Sequence, residues 1–248
     1  KKGIDGTFRE FSRGYGEAIE NFFHPLLMFL KWFQDLLIET PWPLILVILG
    51  ALSWWGSRSW KMVVGTVLAF LFIGWLDMWE DTMATLAIVS VATLLCIAIG
   101  IPIGILMARS DRVQAMILPV LDIMQTIPSF VYLIPVVMLL GIGKVPGLLA
   151  DMIYAIPPIV RLTNLGIRLV DKEVLEAADA FGSSYRQKLF QVQIPLALPN
   201  IFAGVNQTIM MALSMVVIAA LVGADGLGKP VVRALNTVDI AMGFEAGL

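Results

Sequence analysis

The chain has 248 residues, of which 58% are hydrophobic and only 15% are charged. A soluble domain averages about 45–50% apolar and about 25% charged residues, so a water-soluble fold has no place for this much apolar surface. One His and one Cys leave no pair for a disulfide and no cluster for structural zinc. The net charge of −2 excludes a strongly basic nucleic-acid binder. The composition therefore indicates a membrane protein.

The N-terminal segment, residues 1–42, is polar at first and then amphipathic. Apolar residues recur at helical spacing over Phe22–Ile38, with charged residues between them. This pattern is too charged for a span and predicts a helix at the membrane interface, or equally a helix packed on another part of the protein. The chain begins without Met and ends within an apolar stretch from Ile240, so we interpret it as a fragment.

Apolar segments follow in chain order and predict an all-α, polytopic transmembrane helix bundle. They are Leu44–Trp55, Met62–Leu76, Thr82–Met107, Met116–Gly141, Val145–Val160, Ile201–Val222 and a segment starting near Ile240. A full span needs about 20 residues, so the first two are marginal. We assign them to peripheral helices within residues 43–81, and we assign residues 82–248 to the core transmembrane domain.

Basic residues predict the orientation of the bundle. They concentrate in the loops at 56–61, 108–115 and 161–199, whereas the alternate loops are poor in them. Basic loops favour the cytoplasmic side. The N-terminal segment is then expected on the extracytoplasmic side.

The loop at 161–199 is long but ordered in its pattern. Asp171 is placed to cap a short helix that Gly182 ends, and Ser184 with Gln187 forms a capping box for a second helix that Pro195 stops. Val174, Ala177, Ala178 and Phe181 share one face of the first helix. This small apolar face either binds a partner or packs on the protein's own bundle, and the pattern alone does not decide between them.

The same loop carries a family resemblance. Glu176-Ala177-Ala178, Gly182 and Val192-Gln193-Ile194-Pro195 have the spacing of the EAA loop of permease subunits in bacterial ABC importers. Val192 and Ile194 depart conservatively from the family's Ile and Leu. The resemblance implies a type I ABC importer permease fold with a cytoplasmic helix–turn–helix coupling loop that docks on an ATPase. The residues it assigns to coupling are Glu176, Ala177, Ala178, Gly182, Val192, Ile194 and Pro195.

Further stretches, at 122–135, 141–147, 156–163 and 204–219, resemble glycine betaine/proline betaine permeases. The resemblance implies a multi-pass subunit of the bacterial inner membrane that imports a betaine-type osmolyte. Its implied partners are membrane lipid, a second permease copy, two cytoplasmic ABC ATPases that bind ATP and Mg²⁺, and a periplasmic or lipid-anchored solute-binding protein. The chain itself would hold no catalytic site, metal or cofactor.

Other functions remain as alternatives. Choline, carnitine and trimethylamine N-oxide are chemically close to the betaines. An ion-driven secondary transporter would need its own ion site and usually an internal repeat, which the sequence does not display. An intramembrane enzyme is disfavoured because the spans lack clustered carboxylates.

Two groups of polar residues and prolines are candidates for lining the substrate pathway, because polar side chains inside a bundle usually face its interior. They are Gln125, Thr126, Pro128 and Tyr132 in one segment, and Asn206, Gln207 and Ser214 in another. The alternative is that the prolines only shape packing. Asp122 and Asp151 are ionisable residues near the membrane and are candidates for a functional role. The alternative is that both lie near span ends that water reaches, with Asp122 paired to Arg109 or Arg112, and for Asp151 we favour this alternative.

Two glycine motifs in the sequence have structural interpretations. Gly100 and Gly104 form a GxxxG pattern that supports close helix packing without identifying the partner helix. The stretch Gly223–Lys229 has Walker A spacing, but Pro230 follows where a P-loop needs Ser or Thr. We interpret it as a Gly-rich external turn, so ATP hydrolysis falls to a partner.

Overall fold

The structure is a computed structural model that describes residues 22–247. Within them the chain forms helices and no strand: α1 (Phe22–Glu39), α2 (Trp42–Ser57), α3 (Trp60–Trp75), α4 (Trp79–Arg109), α5 (Asp111–Thr126), α6 (Ser129–Leu140), α7 (Lys144–Arg168), α8 (Lys172–Ala180), α9 (Tyr185–Gln187), α10 (Ile194–Ala220), α11 (Gly228–Thr237) and α12 (Ile240–Gly247). A π-helical segment, Lys188–Gln193, joins α9 to α10, so Tyr185–Ala220 is one continuous helix. The polar stretch predicted before Phe22 lies outside the described residues.

Three of the described helices are long and apolar enough to cross a membrane. These are α4 with 31 residues, α7 with 25 and the continuous helix Tyr185–Ala220 with 36. The pairs α1–α2 and α5–α6 are each bent, by 106° and 96°, and would add two spans if each pair counts as one. The polytopic all-α fold is confirmed. The segment Met116–Gly141, however, is not a single straight span.

Proline acts differently at different places in these helices. Ile127, directly before Pro128, has an extended ψ of 133° and ends α5, as steric conflict with the proline ring demands. In contrast, α7 runs through Pro157 and Pro158 to Arg168, past the predicted end of its span. The prediction that Pro195 stops a helix is also wrong. The π-helical segment precedes it, with the Ile194 N–H bonded five residues back, and the widened turn lets the helix pass the proline.

Among the described residues, one compact unit consists of 22–89, 133–148 and 216–247. Within it, α1 is amphipathic as predicted. Leu30 and Gln34 are buried, and the Gln34 side-chain oxygen accepts a hydrogen bond from Lys144 Nζ at 2.7 Å. Trp32, in contrast, is 59% exposed. One face of α1 therefore packs on the protein while another presents aromatic rings suited to a membrane interface.

The other compact unit consists of residues 90–132 and 149–215, and small residues hold its long helices together. A Cβ added to Gly100 would lie 2.5 Å from the Ile159 side chain, and one added to Gly104 would lie 2.6 Å from Thr163 Cβ. Gly204 of α10 faces Ile159 and Leu162 in the same way. The GxxxG pattern thus brings α4 against α7 of the same chain.

Candidate functional site

The first helix of the long loop, α8, is capped at both ends by its own sequence. The Asp171 side chain accepts a hydrogen bond from the Glu173 N–H at 3.0 Å. At the other end, the Gly182 and Ser183 N–H groups donate to the carbonyls of Asp179 and Ala178, which is a Schellman motif. Gly182 has φ +77°, a left-handed conformation that glycine adopts without steric cost. Both predicted boundaries are confirmed.

The second helix, α9, begins with the predicted capping box. Ser184 Oγ accepts from the Gln187 N–H, and Gln187 Oε1 accepts from the Ser184 N–H at 2.8 Å. Each such cap contributes about 1 kcal/mol. Lys188 Nζ then pairs with the Asp179 carboxylate of α8 at 2.6 Å. We call this unit, residues 169–187, the EAA hairpin.

The EAA hairpin exposes most of its predicted apolar face. Phe181 is 90% exposed and Val174 is 41% exposed, so the face does not pack on the bundle of its own chain. The side chains of the EAA motif follow the same trend, with Glu176 and Ala177 exposed and Ala178 half-buried. Further along, Val192 and Ile194 are half-buried, whereas Pro195 is exposed.

Arg168, the residue before the EAA hairpin, is tied to the end of α4. Its guanidinium donates to the Met107 carbonyl at 2.9 Å and to Asn164 Oδ1 at 3.1 Å. It also pairs with Asp111 of α5 at 2.7 Å. These contacts fix the point from which the hairpin leaves α7.

Tyr185, the first residue of α9, is tied to the same end of α4. The guanidinium carbon of Arg109 lies 4.4 Å from the centroid of the Tyr185 ring, within the range of a cation–π interaction. Sequence reasoning assigned Arg109 to orientation and to an ion pair with Asp122. No local pattern predicts this contact, because it joins residues on different helices.

The exposed face of α10 forms a groove of about 520 Å³. It is lined by Ala203, Asn206, Gln207, Met210, Met211 and Ser214. The structure thus brings together three of the predicted pathway residues. The opposite face of α10 is buried at Gly204 and Thr208. A polar face of this kind in a membrane helix requires a partner other than lipid.

The other predicted pathway residues lie at the α5–α6 break and do not line that groove. Gln125, Thr126 and Pro128 are exposed there. Because Pro128 has no N–H, the Met124 carbonyl loses its helical donor, and the Tyr132 hydroxyl donates to it instead. Tyr132 therefore stabilises the corner of the broken helix.

Two acidic residues differ from expectation. Asp122 pairs with Arg161, at 2.5 Å, instead of with Arg109 or Arg112. Asp151 is fully buried, and neither carboxylate oxygen has a hydrogen-bond partner in the described structure. The prediction that water reaches Asp151 is therefore wrong. A one-dimensional pattern places a residue along a helix but does not say which side of the helix other helices cover.

The stretch with Walker A spacing is a turn between α10 and α11. Gly223 and Gly226 have positive φ, and α11 begins at Gly228. Asp225 pairs with Lys144 at 2.6 Å and also with Lys229. Partial burial opposes ionisation of the Asp225 carboxyl, but hydrogen bonds and attraction from the two lysines outweigh it and lower its pKa to about 2. The motif's lysine thus serves an ion pair in a folded turn.

Three other features of the described residues bear on function, namely metal-ligating side chains, a free thiol and a further cavity. Within residues 22–247, no three His, Cys, Asp or Glu side chains are grouped to hold a metal ion. Cys96 is buried, and its thiol donates to the Met152 carbonyl at 3.6 Å. A cavity of about 790 Å³ is lined in part by Trp42 and Trp79, ring types typical of membrane interfaces.

The sequence matches the family of binding-protein-dependent transport system inner membrane components over residues 100–248. It is 47% identical over 224 residues to the glycine betaine/proline betaine transport system permease protein ProW of Escherichia coli (strain K12), covering 90% of this chain and 63% of that protein. It is 45% identical over 237 residues to the glycine betaine/carnitine transport permease protein GbuB of Listeria monocytogenes serotype 1/2a (strain 10403S), covering 95% of this chain and 83% of that protein. The chain therefore spans less than two thirds of the Escherichia coli relative.

The fold is similar to that of a chain in the inward-facing structure of the MetNI methionine ABC transporter. The TM-score is 0.62 at 21% sequence identity, and the match covers 70% of this chain and 87% of that chain. At this identity the likeness shows a shared fold.

Proposed function

Because the chain belongs to the family of binding-protein-dependent transport system inner membrane components, we propose that it is the transmembrane permease subunit of an ATP-driven importer for a betaine-type osmolyte. Its fold is that of a type I ABC importer permease. Glycine betaine and proline betaine are the first substrates to test. Choline, carnitine and trimethylamine N-oxide share the methylated nitrogen and are the alternatives.

One observation carries the proposal, namely that the EAA hairpin is capped by its own residues while its apolar face is exposed. The caps keep the shape of the unit without help from neighbours, and Phe181 at 90% exposure is available to a partner. A preformed, exposed apolar unit of this kind suits docking into a groove. The partner would be a cytoplasmic ABC ATPase, present in two copies, that binds ATP and Mg²⁺.

The charge distribution supports an orientation for this docking. The hairpin would lie in the cytoplasm and the N-terminal segment outside it, in a bacterial inner membrane, because the basic loops favour the cytoplasmic side. Residues 1–42 would form the interfacial segment and residues 43–81 the peripheral helices. Residues 82–248 would then form the core domain that carries transport.

The groove on α10 supports a passage made by two permease copies. Asn206 and Gln207 are exposed on a membrane helix, and Ser214 is exposed two turns further along. The Asn206 and Gln207 amides would be costly against lipid, whereas the Ser214 hydroxyl donates to the Met210 carbonyl at 2.9 Å. A second copy facing this groove would therefore enclose a polar route between the two chains. Gln125, Thr126 and Pro128 would line this route near one of its ends. A solute-binding protein, periplasmic or lipid-anchored, would deliver the osmolyte to it.

The test is uptake into proteoliposomes that contain the complete importer with its ATPase and binding protein. Radiolabelled glycine betaine, proline betaine, choline, carnitine and trimethylamine N-oxide are compared at equal concentrations, with ATP inside or absent. We expect ATP-dependent uptake that is highest for a betaine. Equal uptake without ATP, driven by an imposed ion gradient, would instead establish a secondary transporter. ATP-dependent uptake that favours another solute would correct the substrate alone.

A further inference from the structure

Both ends of the EAA hairpin are fastened to the same turn of α4. On the entering side, Arg168 donates to the Met107 carbonyl at 2.9 Å. On the returning side, the Tyr185 ring lies 4.4 Å from the Arg109 guanidinium carbon. Met107 and Arg109 are two residues apart at the C-terminal end of α4. A displacement of the hairpin therefore acts on α4 as well as on the helices that continue it.

The two fastenings differ in how they can move. Arg168 is also held by Asn164 of its own helix and by Asp111 of α5, so its position has several determinants. Fewer neighbours fix the Arg109–Tyr185 contact, since Arg109 is exposed and Tyr185 is 47% exposed. Tyr185 also begins the continuous helix Tyr185–Ala220, which carries the groove of Asn206, Gln207 and Ser214. The contact thus joins α4 to the helix that would line the passage.

Close packing extends the connection along α4. Gly100 and Gly104 lie against Ile159 and Thr163 of α7, with no room for a Cβ. Packed helices of this kind shift as stiff bodies instead of deforming continuously. A push on the last turn of α4 would therefore reach the middle of the bundle.

On this basis we propose that Arg109 and Tyr185 are positioning residues that transmit movement of the EAA hairpin to α4 during the transport cycle. The inference rests on the proposed function, since it requires an ATPase that moves the hairpin. The role of Arg109 and Tyr185 is to keep ATP hydrolysis and transport in step.

The experiment measures the number of osmolyte molecules taken up per ATP hydrolysed by the assembled importer in proteoliposomes. Arg109→Gln and Tyr185→Leu each remove the contact, and both are expected to lower this ratio about threefold or more, within the range reported for residues that modulate coupling. Tyr185→Phe keeps the ring face over Arg109 and is expected to keep the wild-type ratio. Phe190→Ala removes an exposed ring from the same continuous helix and serves as the matched control.

The double variant Arg109→Gln/Tyr185→Leu decides between a shared role and two separate ones. If the residues act as a pair, the double variant is no worse than the poorer single variant. Additive losses, or an unchanged ratio in the single variants, would overturn the proposal. A variant that assembles poorly is replaced by Arg109→Lys, which keeps the charge but shortens the reach over the ring, and which is expected to give a smaller loss of the same ratio.

Failure of this inference is distinguishable from failure of the proposed function. Gly182→Val deforms the EAA hairpin itself, whatever transmits its movement. If Gly182→Val abolishes transport while the Arg109 and Tyr185 variants keep a normal ratio, only the positioning role is wrong. If Gly182→Val also transports normally and uptake runs equally well without ATP, the hairpin does not couple to an ATPase, and the proposed function is wrong with it.

Discussion

The EAA hairpin and the packed faces of α4, α7 and α10 are stabilised by opposite means. Within the hairpin, caps at Asp171 and Ser184 and the turn at Gly182 satisfy the backbone locally, while Phe181 stays exposed. In the packed faces, small residues bring helices together and the side chains are buried. The surface for which we propose a moving partner is kept in shape by its own sequence, whereas the core depends on fit between distant segments.

The largest expected effect is in the hairpin, at its turn. Gly182→Val places a β-branched residue at φ +77°, which costs on the order of 1–2 kcal/mol and tilts α8 against α9. We expect uptake to fall at least about tenfold, with the amount of protein in the membrane unchanged. Gly182→Asn is the control, because Asn tolerates this conformation better. Similar uptake by both variants would show that the conformation of the turn is not what matters.

The exposed ring of the hairpin tests whether its surface acts only in binding. Phe181→Ala is expected to weaken association with the ATPase about 30-fold, the effect of losing a central interface residue of about 2 kcal/mol. The midpoint of thermal unfolding should not change, because the side chain is 90% exposed. Binding of the purified subunits is measured, with Phe190→Ala as control. An equal loss in both variants would assign the effect to general hydrophobicity.

The packed face tests the other half of the comparison. Gly104→Ala puts a methyl group 2.6 Å from Thr163 Cβ and is expected to destabilise the fold by about 2 kcal/mol, the cost of overpacking. Gly65→Ala has open space around its Cβ and should be neutral or slightly stabilising. Thermal unfolding in detergent compares them. An unaltered midpoint in Gly104→Ala would mean that α4 and α7 can separate at little cost.

The smallest effect is expected in the turn between α10 and α11, which lies outside both regions and is stabilised by ion pairs. Asp225 has its pKa lowered from 3.8 to about 2 by Lys144 and Lys229, so its ion pairs contribute stability that is fully present above about pH 4. This contribution is lost as the pH falls through about 2. Between pH 5 and 8 we expect the stability difference between the wild type and Asp225→Asn to stay constant. A stability difference that changes between pH 5 and 8 would mean that a group other than the Asp225 carboxyl titrates in that range.

The same contrast explains what could be predicted from sequence. The caps at Asp171 and Ser184 and the glycine turn were predicted because each involves residues a few positions apart. The ion pair of Asp122 was assigned to Arg109 or Arg112, and its true partner, Arg161, is 39 positions away on another helix. Choosing among several nearby arginines requires knowing which helices are neighbours.

Proline marks a second limit of prediction. Pro128 breaks its helix, whereas Pro102 lies within α4 and leaves it continuous. Proline removes the same N–H and creates the same local steric conflict at both positions, so the residue type alone does not decide whether the helix breaks. At Pro128 the Tyr132 hydroxyl takes over the orphaned Met124 carbonyl. Asn206, Gln207 and Ser214 were predicted to line the pathway because polar side chains inside a bundle usually face its interior. The structure places them along one groove of a single helix, and their role in the pathway stays a prediction.

The buried carboxyl of Asp151 has a consequence for how the chain enters the membrane during synthesis. An aspartate within a span opposes insertion by about 2.5–3.5 kcal/mol. Its helix, α7, is also the least apolar and the most enclosed of the three long spans. We therefore expect α7 to insert stably only with help from α4, which is already in place, and from α10, which is made later. Biogenesis of this protein would then be cooperative, with α7 leaving the translocon only when its neighbouring helices can pack against it.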